Sequence, residues 1–154
     1  MRIAVLADTH VNMLEQLPKK IIDTISTVDL IIHAGDFTDV QVLEELKRLK
    51  EVKAVHGNMD SIELKSTLPA KEIVEIKSKR IGITHGSGSP WGIEERVKEM
   101  FESDRIDIIV YGHSHQAQNT VVNNILFFNP GKATDSFGIL TIYGEAKGEI
   151  INSR

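Results

Sequence analysis

The stretch Ile3-Ala4-Val5-Leu6-Ala7-Asp8-Thr9-His10 joins an apolar run of strand length to an acid and an imidazole two positions apart. The same arrangement recurs down the chain. Leu30-Ile31-Ile32-His33-Ala34 runs into Gly35-Asp36, and Val52–Val55 into His56-Gly57-Asn58-Met59-Asp60. Arg80–Thr84 runs into His85-Gly86, and Ile106–Tyr111 into Gly112-His113-Ser114-His115. Five predicted strands therefore each deliver a metal-competent side chain at the carboxyl end, the edge where open α/β sheets bind ligands. Glycine beside the polar residue lets backbone or ligand come close.

Working outward, the intervals carry helical spacing. Leu14, Leu17, Ile21 and Ile25 form one face, Val42 or Leu43 with Leu46 and Leu49 a second. Ile93, Val97, Met100 and Phe101 form a third, opened near Pro90. Pro18 fits the first turn of the earliest helix or kinks it. Strand–helix–strand order implies parallel pairing with helices on the faces. The final third changes character: Gln118–Val122 and Ile125–Asn129 flank an Asn123-Asn124 turn, and Phe137–Tyr143 and Glu149–Asn152 flank a Gly144-to-Gly148 turn. A further hairpin joins Glu72–Ile76 to Arg80–Thr84. Parallel strands together with hairpins predict two packed mixed sheets with helices outside.

Composition narrows the chemistry. A length of 154 residues predicts one domain, 1–154. Cysteine is absent, which excludes disulfide frameworks, thiolate nucleophiles and cysteine-held zinc. The net charge of −4, with lysines in small scattered groups, argues against stable nucleic-acid binding. The apolar run near the amino terminus is stopped by Asp8, short of the ~7–15 residues of a signal h-region or the ~20 of a membrane span. A cytoplasmic protein without membrane contact is the expectation. Four His, two Asp and one Asn at strand ends are costly buried groups unless paired or coordinating, so together they predict a metal site.

In this order the motifs Asp8-x-His10, Gly35-Asp36, Gly57-Asn58, His85-Gly86 and Gly112-His113-x-His115 resemble those of the calcineurin-like metallophosphoesterases. The nearest resemblance is to their short, single-domain prokaryotic phosphodiesterase branch, in which an Asn-Pro-Gly like Asn129-Pro130-Gly131 recurs. The resemblance implies an α/β fold, a four-layer αββα sandwich of two mixed β-sheets flanked by helices. It implies two divalent ions: Asp8, His10 and His115 at one, Asn58, His85 and His113 at the other, and Asp36 bridging. Two such ions bring four positive charges, of which two carboxylates remove two and a bridging hydroxide one more. The centre stays positive and attracts phosphate. The implied reaction is hydrolysis of small phosphate esters, diesters foremost, by attack of that hydroxide. The ligand types suit Mn²⁺, Fe²⁺, Zn²⁺ or Ni²⁺, and the resemblance favours Mn²⁺.

Asp36, Asn58, His85 and Asp60 form the expected catalytic group. Asp60 enters through a hydrogen bond to His10 or another ligand, its plain alternative being a turn residue. Asn58, His56 and Ser87 are the candidate substrate contacts, although Ser87 also fits an ordinary connection. Larger relatives carry a His where this chain has Met59, a thioether with no proton to give. A general acid supplies ~10²–10⁴-fold, so leaving groups already stable as anions, such as aryl oxides, are expected to be preferred. His33 reads as a packed core histidine, and Trp91 as a packing residue or as a lining of the substrate entrance. The rival reading is a binding scaffold of the same fold, as in the retromer subunit. A nucleotide-binding module is disfavoured because no Gly-x-Gly-x-x-Gly follows the first strand. The late hairpins leave room for a homodimer.

Overall fold

In a computed structural model describing all 154 residues, ten strands form two five-stranded sheets. The first contains β1 (Arg2–Leu6), β2 (Leu30–His33), β3 (Val52–Ala54), β9 (Ser136–Tyr143) and β10 (Glu145–Asn152), ordered β10-β9-β1-β2-β3. The second contains β4 (Lys71–Ile76), β5 (Lys79–Thr84), β6 (Ile108–Val110), β7 (Gln118–Val122) and β8 (Ile125–Asn129), ordered β4-β5-β6-β8-β7. Both sheets are mixed. β1, β2 and β3 run parallel, as do β5, β6 and β8, with antiparallel strands outside them.

Side-chain alternation explains why the central strands are apolar throughout. Ile3 and Val5 point between the sheets, against Ile83, Val110 and Phe128. Ala4 and Leu6 point the other way, into a core completed by α1 (Lys19–Ile25), α2 (Val40–Leu49) and α3 (Ile62–Thr67). On the outer face of the second sheet, Ile93, Val97 and Phe101 of and just after α4 (Ile93–Met100) cover Ile109, Tyr111 and Phe127. The result is the expected order helix, sheet, sheet, helix. No helix is long and apolar enough to cross a membrane.

Three local expectations are corrected and one unpredicted helix appears. The first helix starts at Lys19, because Pro18 has an extended ψ of 133° and Leu14–Gln16 closes separately as a 3₁₀ turn. Residues 62–67 are helical, capped by Ser61 Oγ accepting from the Leu64 amide, but only Leu64 is buried and so no periodicity betrays them. The last hairpin turns at Gly144 alone (φ 74°), and Gly148 lies within β10 opposite Leu140. That glycine serves packing, since a Cβ there would stand 2.6 Å from the Phe128 ring. The last helix begins at Ile93, after a left-handed Gly92, and Trp91 is 88% exposed instead of packed.

Candidate metal centre

The carboxyl ends of β1, β2, β5 and β6 meet at one edge, and main-chain bonds between loops lock them there. The Asp8 amide donates to Gly35 O at 3.0 Å, His10 to Asp36 O at 3.3 Å, and Gly112 to His85 O at 3.0 Å. Asn129 of the Asn-Pro-Gly motif braces the His113 loop: its side-chain amide donates to Gly112 O and to Ser114 Oγ, and its Oδ1 accepts from the Gly131 amide. Asp8, His10, Asp36, His113 and His115 all have positive φ, from 48° to 68°. Left-handed backbone at non-glycine residues costs roughly 1–3 kcal/mol each and persists where the surroundings over-determine it.

Each central carboxylate is divided between two tasks. Asp36 Oδ1 accepts from the Met59 amide at 2.8 Å, while Oδ2 lies 3.4 Å from His10 Nε2 and 3.2 Å from His85 Nε2. Asp8 Oδ2 accepts from the His113 amide at 3.1 Å, while Oδ1 lies 3.5 Å from His115 Nε2, 3.8 Å from His85 Nε2 and 3.9 Å from His10 Nε2. Within the protein, Asp8 Oδ1 and His85 Nε2 are buried without any hydrogen-bond partner. His85 Nδ1 is 2.7 Å from the Ala34 carbonyl, which can only accept, so the ring hydrogen is on Nδ1 and Nε2 carries a lone pair. Lone pairs from an imidazole and two carboxylates thus converge with no donor among them. Leaving such groups unmatched costs about 1–3 kcal/mol each or more, and a cation supplies the match. These residues fit divalent metal.

The electrostatics agree. Burial opposes ionisation of Asp36, yet His85, the Met59 amide and His10 together hold its carboxyl down at about 2. Burial dominates at Asp8 and pushes its carboxyl above the usual range, against the pull of His85 and His115. Burial likewise disfavours charge on His85, but Asp36 and Asp8 outweigh it and raise its pKa: a proton is drawn to the position a metal would fill.

Two overlapping sets come within 4.8 Å: Asp8, His10 and His115, and Asp8, Asp36 and His85. Asn58 and His113 stand outside these sets. Asn58 is exposed, and the His113 ring is 5.3 Å from that of His85. His56, Asn58, His85 and Ser87 share a cavity of about 350 Å³, with Lys65 and Met100 also on its wall. Lys65 escaped notice in the sequence because it belongs to the unpredicted α3. It donates to the Asn58 carbonyl at 3.1 Å. Met59 is 60% exposed.

Two second-rank expectations have definite outcomes. Asp60 does hydrogen-bond a ligand residue, Asp36, but at its main-chain amide, and it makes no hydrogen bond to His10. Its carboxylate instead accepts from the amides of Gly57, Thr38 and Asp36 at 2.7, 2.8 and 3.0 Å, because it lies beneath the loop backbone and not beside His10. Gly57 has no room for a side chain, as its Cβ would fall 2.1 Å from Asp36 Oδ1. His33 is fully buried and stacks on Phe37. Its Nδ1 accepts from the Gly35 amide, so Nε2 donates to Thr9 Oγ1, which donates in turn to Asp36 O.

A two-sheet sandwich whose strand ends converge lone pairs in this way fits the centre of a metal-dependent phosphoesterase, the class that the family match assigns. Residues 1–143 match the family model of the calcineurin-like phosphoesterase superfamily domain, and the chain belongs to that superfamily. It is 40% identical over 136 residues to a probable metallophosphoesterase of Methanocaldococcus jannaschii, covering 87% of this chain and 69% of the relative. A phosphodiesterase of the same organism is 31% identical, with 86% and 84% covered. Vps29 of Entamoeba histolytica, solved in complex with zinc, superposes with a TM-score of 0.79 at 25% identity over the whole of both chains.

Proposed function

We propose that residues 1–154 form one domain that hydrolyses small phosphodiesters with two divalent ions, Mn²⁺ foremost. Asp8, His10 and His115 would hold one ion, Asn58, His85 and His113 the other, with Asp36 between them. The observation that carries this reading is the pair of buried, partnerless atoms Asp8 Oδ1 and His85 Nε2. When bound, the ions supply Lewis-acid charge to the phosphoryl oxygens and acidify a water.

The protein's own groups prepare that chemistry. Main-chain amides hold the outer oxygen of each carboxylate and leave the inner one facing the histidine rings, so the ligands need little reorganisation. Asp60 acts as a positioning residue, tying the backbone of Asp36 to that of Gly57. The ester would lie in the cavity beside His85, with Asn58, His56 and Ser87 as polar contacts and the Met100 side of the wall for an apolar group. Met59 cannot protonate a departing oxygen, which favours aryl leaving groups.

The likeness to Vps29 supports a second reading, a binding module of the same fold. One experiment decides between them. The chelated protein is assayed with nitrophenyl phosphodiester, nitrophenyl phosphomonoester and an alkyl diester, with Mn²⁺, Fe²⁺, Zn²⁺ and Ni²⁺ added in turn and His85→Ala as control. Metal-restored diesterase activity, fastest on the aryl diester and lost in the variant, is expected. Equal rates for wild type and variant, or no hydrolysis with any metal, overturn the enzymatic reading. Equal aryl and alkyl rates overturn the role given to Met59.

A further inference from the structure

The loop between Gly86 and Gly92 is exposed from Ser87 onward and has almost no internal structure, apart from the Trp91 amide donating to Ser89 Oγ. One side chain organises it. Arg96, in the first turn of α4, folds back over the loop and donates from Nε to Ser87 O at 2.9 Å, from Nη1 to Trp91 O at 3.0 Å, and from Nη2 to the Ser89 carbonyl. Every side-chain bond it makes goes to a main-chain carbonyl of this loop. The backbone closes directly on the guanidinium: a Cβ at Gly88 would stand 3.4 Å from Arg96 Cζ and Nε, and one at Gly92 3.4 Å from Nη1. A planar fork of five donors suits this task, and a single ammonium does not.

Among the loop carbonyls this set leaves out, that of Gly88 lies 2.8 Å from His113 Nε2. A carbonyl only accepts, so Nε2 carries the hydrogen and Nδ1 is the one ring nitrogen of His113 able to ligate. Ala34 fixes His85 in the opposite sense, leaving Nε2. We propose that Arg96 is a positioning residue for the second ion: it fixes the loop, and the loop fixes the tautomer of His113 that can coordinate. The inference rests on the two-ion reading above. In the sequence Arg96 is simply a charge within an amphipathic helix.

The test uses the full chain in two measurements. Long-range ¹H–¹⁵N spectra of the metal-free protein report each histidine tautomer, and calorimetric titration with Mn²⁺ reports both sites. With spectra recorded at alkaline pH, where both rings are neutral, wild type is expected to show His113 as Nε2–H and His85 as Nδ1–H, and to bind two Mn²⁺. In Arg96→Ala, His113 should show mixed tautomers while His85 is unchanged. The second Mn²⁺ should bind at least about tenfold more weakly and the first within twofold, a size typical of lost ligand-supporting contacts. Arg96→Lys should fall between, and it stands in if the alanine variant does not fold. An Arg96→Ala protein with lowered thermal midpoint but His113 still wholly Nε2–H and Mn²⁺ affinities unchanged overturns the proposal. A wild type that binds one Mn²⁺ overturns the two-ion reading and the coordinating half of the proposal, while the tautomer readout still decides whether Arg96 acts on His113.

Discussion

The two ends of the parallel strands differ in what they have made of the same backbone. At the amino ends the larger cavity, about 580 Å³, opens between β3 and β4, its wall half apolar and half made of Glu51, Lys53, Glu72, Glu75 and Lys77. These charges stand toward water, with Lys53 and Glu51 paired at 3.3 Å. Left-handed residues occur away from the metal centre too, at Lys77-Ser78 beside this cavity and at Asn123-Asn124, but there they make two-residue hairpin turns whose geometry calls for positive φ. At the carboxyl ends the same conformation falls on Asp8, His10, Asp36, His113 and His115, none of them in a hairpin turn. Volume therefore does not locate the chemistry. Converging lone pairs on constrained backbone do.

The contrast can be broken most directly by exchanging charge for amide at each end. Asp36→Asn is expected to lower kcat/KM for an aryl phosphodiester by about 10³-fold, the scale of losing a principal electrostatic contact. Glu72→Gln at the amino-end cavity should leave it within twofold. Comparable losses in both would remove the distinction between the two ends.

A smaller effect separates the glycines. Gly57→Ala must push a methyl against Asp36 Oδ1, and the loop cannot yield without breaking the 2.7 Å bond from the Gly57 amide to Asp60. We expect a loss of about 1–3 kcal/mol in urea unfolding together with impaired Mn²⁺ binding. Gly144→Ala has open space around it and only a φ of 74° to resist, so about 1 kcal/mol is lost with Mn²⁺ binding intact.

Acid sensitivity accumulates in steps of comparable size. Burial holds His33 down at about 3, so between pH 6.5 and 3 the unfolded chain binds a proton that the folded chain refuses. Stability then rises with pH across that window. It is lost on acidification below 6.5 at about 1.4 kcal/mol per pH unit, levelling near pH 3. Asp36, held at about 2, adds a loss of the same sign only below its ordinary value of 3.8. The raised Asp8 carboxyl and His85 imidazole act in the opposite sense, so the readout is a difference: from pH 6.5 to 4 the urea midpoint of the chelated wild type should fall relative to that of His33→Phe. An unchanged slope in that variant would assign the acid sensitivity elsewhere.

Much of this was legible because burial on both faces writes itself as an apolar run, and because the motif residues follow those runs directly. Asp8, His10, Asp36, His85 and His115 could be placed together from strand ends alone. What stayed hidden depends on contacts distant in sequence. Gly148 resembles a turn residue until the Phe128 ring is seen above it. Asp60 has the spacing of a ligand's neighbour, and only the folded loop shows it gripping amides of Gly57, Thr38 and Asp36. The short α3 buries one residue, too few to leave a period.

The position of β1 in its sheet also has a consequence for how the molecule comes into being. The strand that carries Asp8 is flanked by β2 on one side and by β9, residues 136–143, on the other. While the chain is being made, β1 waits with one edge uncovered until residues 136–143 have left the ribosome. Non-local pairing of this kind is slow and exposes sticky intermediates. Metal capture should accordingly be a late event in biogenesis, and fragments ending before residue 136 should gather as aggregates instead of as metal-loaded precursors.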